Sequence, residues 1–343
     1  MGRLCKSQLR TAGETKFMER FRNILCMVEP GETSRHALER AVTLAENNQA
    51  GLTVVDVIPY IVAGIGMPDG GPVSVDLQAA LASERLGVLE SRLAPYRKRI
   101  DMQVKVLQGT PFLEIIREVL RNGHDLVVKV PEDMDWLDRL FSSDDMHLLR
   151  KCPCPVWLIK RRASKSYKRI LAAIDVDDSY PAQEMKARQA LSRQILEMAI
   201  SLALSEFAEL HIMHAWEAIG EGAMRGTFMG ATEANTLAYV EQVRRHHEAC
   251  METLVRDVSG SLKEGAMDYL EPQTHLLKGG ARKEIPALAR RIGVDLVVMG
   301  TVARTGVPGL IMGNTAETIL NQLDCSVLAI KPPGFETPVR LNA

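Results

Sequence analysis

Large parts of this chain are written twice, and the duplication bounds every fold open to it. The segment KVLQGTPFLEIIREVLRNGHDLVVKV (105–130) is answered without a gap by HLLKGGARKEIPALARRIGVDLVVMG (275–300). RNILCMVE (22–29) is answered by KRILAAID (168–175), GLTVVDVI (51–58) by ELHIMHAW (209–216), and HLLRKCPCPVWLIK (147–160) by TILNQLDCSVLAIK (318–331). A period of about 145 to 170 residues is that of whole domains, since solenoid units run to a few tens of residues. The polar stretch RRASKSY (161–167) separates the copies.

Each copy alternates strand and helix. In the second, strands are expected near 169–175, 209–216, 272–278, 294–300 and 326–331, with helical periodicity in ARQALSRQILEMAISLALSE (187–206). The strands are continuous apolar runs, as strands covered on both faces are. The fold class expected is therefore α/β: two tandem doubly wound domains, each a five-stranded parallel open sheet with helices on both faces. The boundaries read as an extension over 1–20, a domain over 21–160, the linker 161–167, a domain over 168–333 and a tail over 334–343. MERFRNILC, from Met18, reads as a natural beginning, so residues 1–17 are expected to add little order.

Composition narrows the function classes. Formal net charge is −1 and aromatics are 5%, so neither a field nor stacking surfaces point to nucleic acid or an anionic membrane. Six cysteines scattered over 343 residues form neither a disulfide scaffold nor paired zinc knuckles, and Cys152-Pro-Cys154 reads as two small residues beside a strand. The first twenty residues carry basic groups without an apolar core, unlike a signal peptide, and a cytoplasmic location is expected. His211, His214, His246, His247 and His275 show no metal-ligand spacing, and His246-His247 reads as helix surface. No metal ligand or catalytic residue is expected.

In an open α/β sheet, ligands sit beyond the carboxyl ends of the strands. MGTVARTGVPGLIMGNTAE (299–317) falls at that edge, after the fourth strand of copy two, with glycines at 300, 306, 309 and 313. This stretch resembles the loop of the universal stress protein family, whose pattern is Gly, two residues, Gly, nine residues, then Gly-Ser/Thr. Asp175 ending strand one and MHA (213–215) in strand two extend the resemblance, which covers both copies from about residue 20 to 333.

The family's ATP-binding members imply roles at the matching positions. Asp175 would face the adenosine and the Ala215 backbone the adenine edge. Gly300 would let the chain pass close to ribose and phosphate, and Gly313, Asn314 and Thr315 would offer helix-opening amides to phosphate. Ala303 stands at the family's second glycine, costing roughly 1 kcal/mol if the backbone there is left-handed. Asn314 stands at the hydroxyl position with an amide that still donates, and Asn314 with Glu317 completes a capping-box-like pattern. Arg304 adds a charge-assisted phosphate contact.

Copy one departs from all of this. Its equivalent stretch, KVPEDMDWLDRLFSSDDMH (129–147), has no glycine, places Val130-Pro131 at the first glycine, and sets Glu132, Asp133, Asp135, Asp138, Asp144 and Asp145 against a single Arg139. Such a charge balance repels a triphosphate. Glu29 replaces the strand-one Asp, and MDWLDRLF reads as a short amphipathic helix packed on its own domain.

The segments after strand two, 59–76 and 217–235, mix Gly, Met and aliphatic residues, as an adaptable lid or a solvent loop would. The leading expectation is a stress-response protein binding ATP or a related adenine nucleotide, with Mg accompanying ATP, in domain 2 only, and acting through protein partners. The rivals are a nucleotide-free module for an apolar metabolite and a slow ATP hydrolase; no Walker sequence, poised base or nucleophile supports the last. The two copies are expected to pair through PVWLIK (155–160) and SVLAIK (326–331) as an internal pseudo-dimer, with further homodimerisation left open.

Overall fold

The computed structural model describes residues 21–29, 34–61, 72–131, 143–160, 166–226, 231–262, 266–301 and 313–341. The expectations on residues 1–17, on the helix MDWLDRLF, and on Ala303 and Arg304 lie outside these residues. The first half runs β1 (Asn23–Met27), α1 (Arg35–Asn48), β2 (Gly51–Ile58), α2 (Pro72–Leu93), β3 (Met102–Gln108), α3 (Pro111–Asn122), β4 (Leu126–Lys129), α4 (Ser143–Lys151) and β5 (Val156–Leu158). The second runs β6 (Arg169–Ala173), α5 (Ala182–Glu206), β7 (Glu209–Trp216), α6 (Glu221–Arg225), α7 (Glu233–Ser259), α8 (Ala266–Leu270), β8 (Gln273–Lys278), α9 (Ala281–Ile292), β9 (Leu296–Gly300), α10 (Asn314–Leu320) and β10 (Ser326–Ile330).

The strands form one ten-stranded sheet in the order β3-β2-β1-β4-β5-β10-β9-β6-β7-β8. Within each half every pairing is parallel. The halves meet where β5 and β10 pair antiparallel, Val327 opposite Leu158 and Ala329 opposite Val156. An open edge of unpaired amides would otherwise stand at each fifth strand.

The apolar strands split by alternation between two cores. Ile24, Cys26, Val54, Ile170, Ile212 and Val298 pack under α1 and α5, whereas Leu25, Val127, Leu171, Val297 and Val327 pack under α3, α4, α9 and α10. Each core runs through both halves, so the two domains share their interior. Burying each such aliphatic side chain contributes about 1.5–3 kcal/mol.

The duplication reaches backbone detail. Gly109 and Gly279 follow β3 and β8 at φ 137° and 142°, where a side chain is strained. Each amide closes onto the neighbouring strand, Gly109 onto Ile58 C=O and Gly279 onto Trp216 C=O. The carboxylates of Glu114 and Glu284 occupy the space a Cβ would need. No helix among the described residues is long and apolar enough to cross a membrane.

Two expectations change. The segment 217–235 contains α6, held by Tyr239 Oη accepting from Gly220 N–H at 3.2 Å and by Lys278 Nζ at 2.6 Å from Glu221. At the start of α10 the N-cap is Gly313 and Asn314 is already helical, with no side-chain cap bond. The capping-box pattern fails because Glu317 reaches across the junction to Arg150 of α4, 2.6 Å away.

Candidate functional site

At the carboxyl ends of β9, β6 and β7, three neighbouring strands, the topology gathers Gly300, Asp175 and Ala215 at one edge. Met213 C=O accepts from Ile174 N–H at 3.0 Å, and Trp216 C=O accepts from Gly279 N–H on the opposite side at 2.8 Å. Backbone groups alternate sides along a strand, so Ala215 turns its N–H and C=O toward β6. The β6–β7 register ends at Ala173 opposite Met213. Ala215 therefore faces the gap opened as the chain leaves the sheet.

Asp175 is fixed on every side. Its N–H donates to Ser192 Oγ (3.1 Å), whose hydroxyl donates back to Asp175 C=O (2.8 Å). Its carboxylate accepts from Arg188 Nη1 (3.1 Å) and from Asp177 N–H (3.2 Å). Arg188 also lies over the Tyr180 ring at 3.5 Å. The Asp175 side chain stays 41% exposed, enough for an incoming hydroxyl to reach it.

Gly300 ends β9 opposite Ile330. A Cβ there would stand 2.7 Å from Leu191 Cδ2 of α5. The close approach that this glycine permits is thus already taken by helix packing. Gly313 N–H donates to Thr301 C=O at 3.3 Å, pinning together the ends of the glycine segment. With Gly313 as N-cap, Asn314 and Thr315 fall in the first turn of α10, exposed, where amides lack intrahelical acceptors.

Domain 1 differs in the interior beneath the equivalent edge. Lys129 and Asp145 are buried and 2.6 Å apart, with Glu29 at 3.9 Å from the same ammonium. The repeat aligns them with Met299 and Ala316 of domain 2, both buried. Asp145, expected among the carboxylates facing the edge, lies inside the domain because Lys129 draws it there.

Two histidine readings change. His247 is buried, its Nδ1 3.0 Å from His214 Nε2, and His214 Nδ1 lies 3.4 Å from Ile174 C=O. Burial lowers both imidazoles' pKa. His246 alone is surface, with Nε2 2.9 Å from both carboxylate oxygens of Asp178. The contact spans 68 residues, and no local spacing signals it.

At the junction between the halves, Lys331 is buried, donating to Leu149 C=O and, at 2.7 Å, to Thr301 Oγ1. Burial pushes its amine down to about 7. Cys152 and Cys154 are buried nearby with sulfurs 3.6 Å apart. A cavity of about 600 Å³ between α1 and α5, lined by Glu39, Arg40, Tyr96, Arg99 and Phe207, lies apart from both strand edges.

These features define a tandem α/β protein whose two halves are joined in one ten-stranded sheet. The sequence model of the Universal stress protein family matches residues 20–160 and 166–331, and the chain belongs to that family. It is 29% identical over 333 residues to Universal stress protein E of Escherichia coli (strain K12), covering 95% of this chain and 98% of the relative. Its identity to Universal stress protein E of Salmonella typhi is 30%, over 95% and 99% of the two chains. A solved protein of Pseudomonas aeruginosa UCBPP-PA14 shares the fold at TM-score 0.64 and 24% identity, covering 92% of this chain and 94% of its own. A universal stress protein of Archaeoglobus fulgidus does so at TM-score 0.56 and 18% identity, covering 90% and 98%.

Proposed function

We propose that this universal stress protein binds one adenine nucleotide per chain, at the carboxyl strand ends of domain 2, and acts through protein partners. The observation that carries the reading is the asymmetry of the two edges. In domain 2 Ala215 and Asp175 stand at the carboxyl ends of β7 and β6, beside β9, after which Thr301 holds the start of α10 through Gly313. In domain 1 the repeat puts Glu29, Val57, Val130 and Ser143 at the positions of Asp175, Ala215, Gly300 and Asn314. Amides at the α10 start and the cation of Arg304 suit phosphate, and the Ala215 strand edge suits the donor–acceptor pattern of a purine. Turnover of ATP forms no part of the proposal.

Calorimetry with ATP tests it. The expected stoichiometry is one per chain, with heat abolished by Gly313→Val. Gly313 sits at φ −58° and ψ 134°, which valine adopts without strain. Two equivalent sites, or heat unchanged by Gly313→Val, would refute the placement. No heat at all, with an apolar metabolite co-purifying by mass spectrometry, would replace the nucleotide reading with the apolar-ligand one.

A further inference from the structure

In domain 2, the loop after β6 and the middle of α7 bring together three side chains of a different chemistry. Asp178, His246 and Cys250 each offer a ligand atom, and these atoms all lie within 4.8 Å of one another. We propose that they form a binding site for a zinc-class divalent transition metal, with the fourth position open to water.

The donor set selects the ion. Imidazole nitrogen and thiolate sulfur are borderline-to-soft ligands that favour zinc and its neighbours over magnesium or calcium, which want oxygen alone. The spacing is favourable, because His246 and Cys250 stand four residues apart and project from one face of α7. Tetrahedral zinc, with Zn–N of about 2.0–2.1 Å and Zn–S of about 2.3 Å, needs donor atoms about 3.3–3.6 Å apart. Here Nε2 of His246 lies 2.9 Å from each oxygen of Asp178 and 3.8 Å from Sγ of Cys250. The contacts of His246 need adjustments of about half an ångström or less. The Asp178–Cys250 separation, within 4.8 Å, has to close by up to about an ångström, within the reach of exposed side-chain rotamers.

The supports on either side are rigid. Asp177 Oδ1 accepts from Ser179 N–H at 2.9 Å, holding the turn that carries Asp178. His247, adjacent to His246, anchors α7 on His214, and His214 rests on the Ile174 carbonyl. A site preorganised by such partners loses little conformational entropy on binding. As the metal binds, the Cys250 thiol gives its proton to solvent and the thiolate coordinates. The proton that joins His246 Nε2 to Asp178 leaves that nitrogen, and the neutral ring holds its single proton on Nδ1.

Cobalt(II) titrated into the metal-stripped full chain tests the site through the near-ultraviolet charge-transfer band that a thiolate–cobalt bond produces. The band is expected to saturate at one cobalt per chain and to be displaced by zinc. Cys250→Ser should remove it, whereas Cys325→Ser should leave it intact. His246→Ala and Asp178→Asn should weaken cobalt binding by more than the ~10–100-fold that losing an outer-shell partner costs. Far-ultraviolet circular dichroism checks that each variant is folded; the ligands lie at the surface or half-buried, and folding is expected to be unchanged. No band, or a band that survives Cys250→Ser and is lost in Cys152→Ser, would overturn the assignment. The nucleotide proposal stands or falls separately, because calorimetry with ATP in metal-free buffer does not read this site.

Discussion

Lys129 and Asp145, 2.6 Å apart and both closed from solvent, form an ion pair where the second domain has Met299 and Ala316. The two domains thus solve one packing problem with charge in one case and hydrocarbon in the other. Removing one member of a buried pair typically costs about 3–5 kcal/mol. Lys129→Met is expected to lower the urea midpoint accordingly. The double variant Lys129→Met, Asp145→Ala, which copies domain 2, should recover most of the loss. A double variant as unstable as the single one would show that the site is not interchangeable.

Gly300 tests whether a glycine at a strand end serves packing. Gly300→Ala is expected to cost about 1–3 kcal/mol, as overpacking does, because its Cβ would press on Leu191 Cδ2 at 2.7 Å. Shortening the neighbour in Gly300→Ala, Leu191→Ala should restore part of the melting temperature relative to Leu191→Ala alone. An additive double variant would mean the two residues do not compete for that space.

Lys331 makes stability depend on alkaline pH. Its amine titrates near 7 in the folded chain because burial disfavours the ammonium, against about 10.4 when unfolded. Between those values the unfolded chain binds more protons, so stability rises with pH across that window. The penalty is fully present below pH 7 and gone above about pH 10.4. Melting temperatures of the wild type, taken relative to Lys331→Met, should climb from pH 7 toward pH 10. A flat difference would show that the amine keeps its ordinary pKa.

Glu118 acts at the other end of the scale. His124 and Lys105 beside it hold its carboxyl at about 2, with Lys105 Nζ 2.6 Å away. A lowered carboxyl contributes stability above its ordinary pKa of about 4.3, lost as pH falls toward 2. Glu118→Gln should therefore be less stable than wild type at pH 6, and the difference should shrink on acidification below pH 4. A constant difference would point to packing alone.

Much of this architecture is legible in the residues because it is encoded locally. Apolar runs such as LVVMG and the helical period of 187–206 record which neighbours share a face, and the repeat doubles each signal. The place of the candidate edge follows from topology. The side-chain partnerships are not legible. His247 meets His214 and Asp178 meets His246 across 33 and 68 residues, and such meetings depend on where whole helices settle on the sheet. The helix start slips by one residue from Asn314 to Gly313 because Glu317 finds Arg150 across the junction, and only the assembled halves supply that partner.

The antiparallel seam between β5 and β10 gives the molecule a polarity of its own. Parallel strands within each half carry their ends one way, and reversal at the seam sends the two halves' ends in opposite directions. The carboxyl ends of β1, β2 and β4 and those of β6, β7 and β9 therefore lie at opposite rims of the sheet. A partner approaching one rim meets chemistry that the other rim does not share, even though both rims are copies of the same design. The chain is therefore two-headed, with Glu29 following β1 at one rim and Asp175 following β6 at the other.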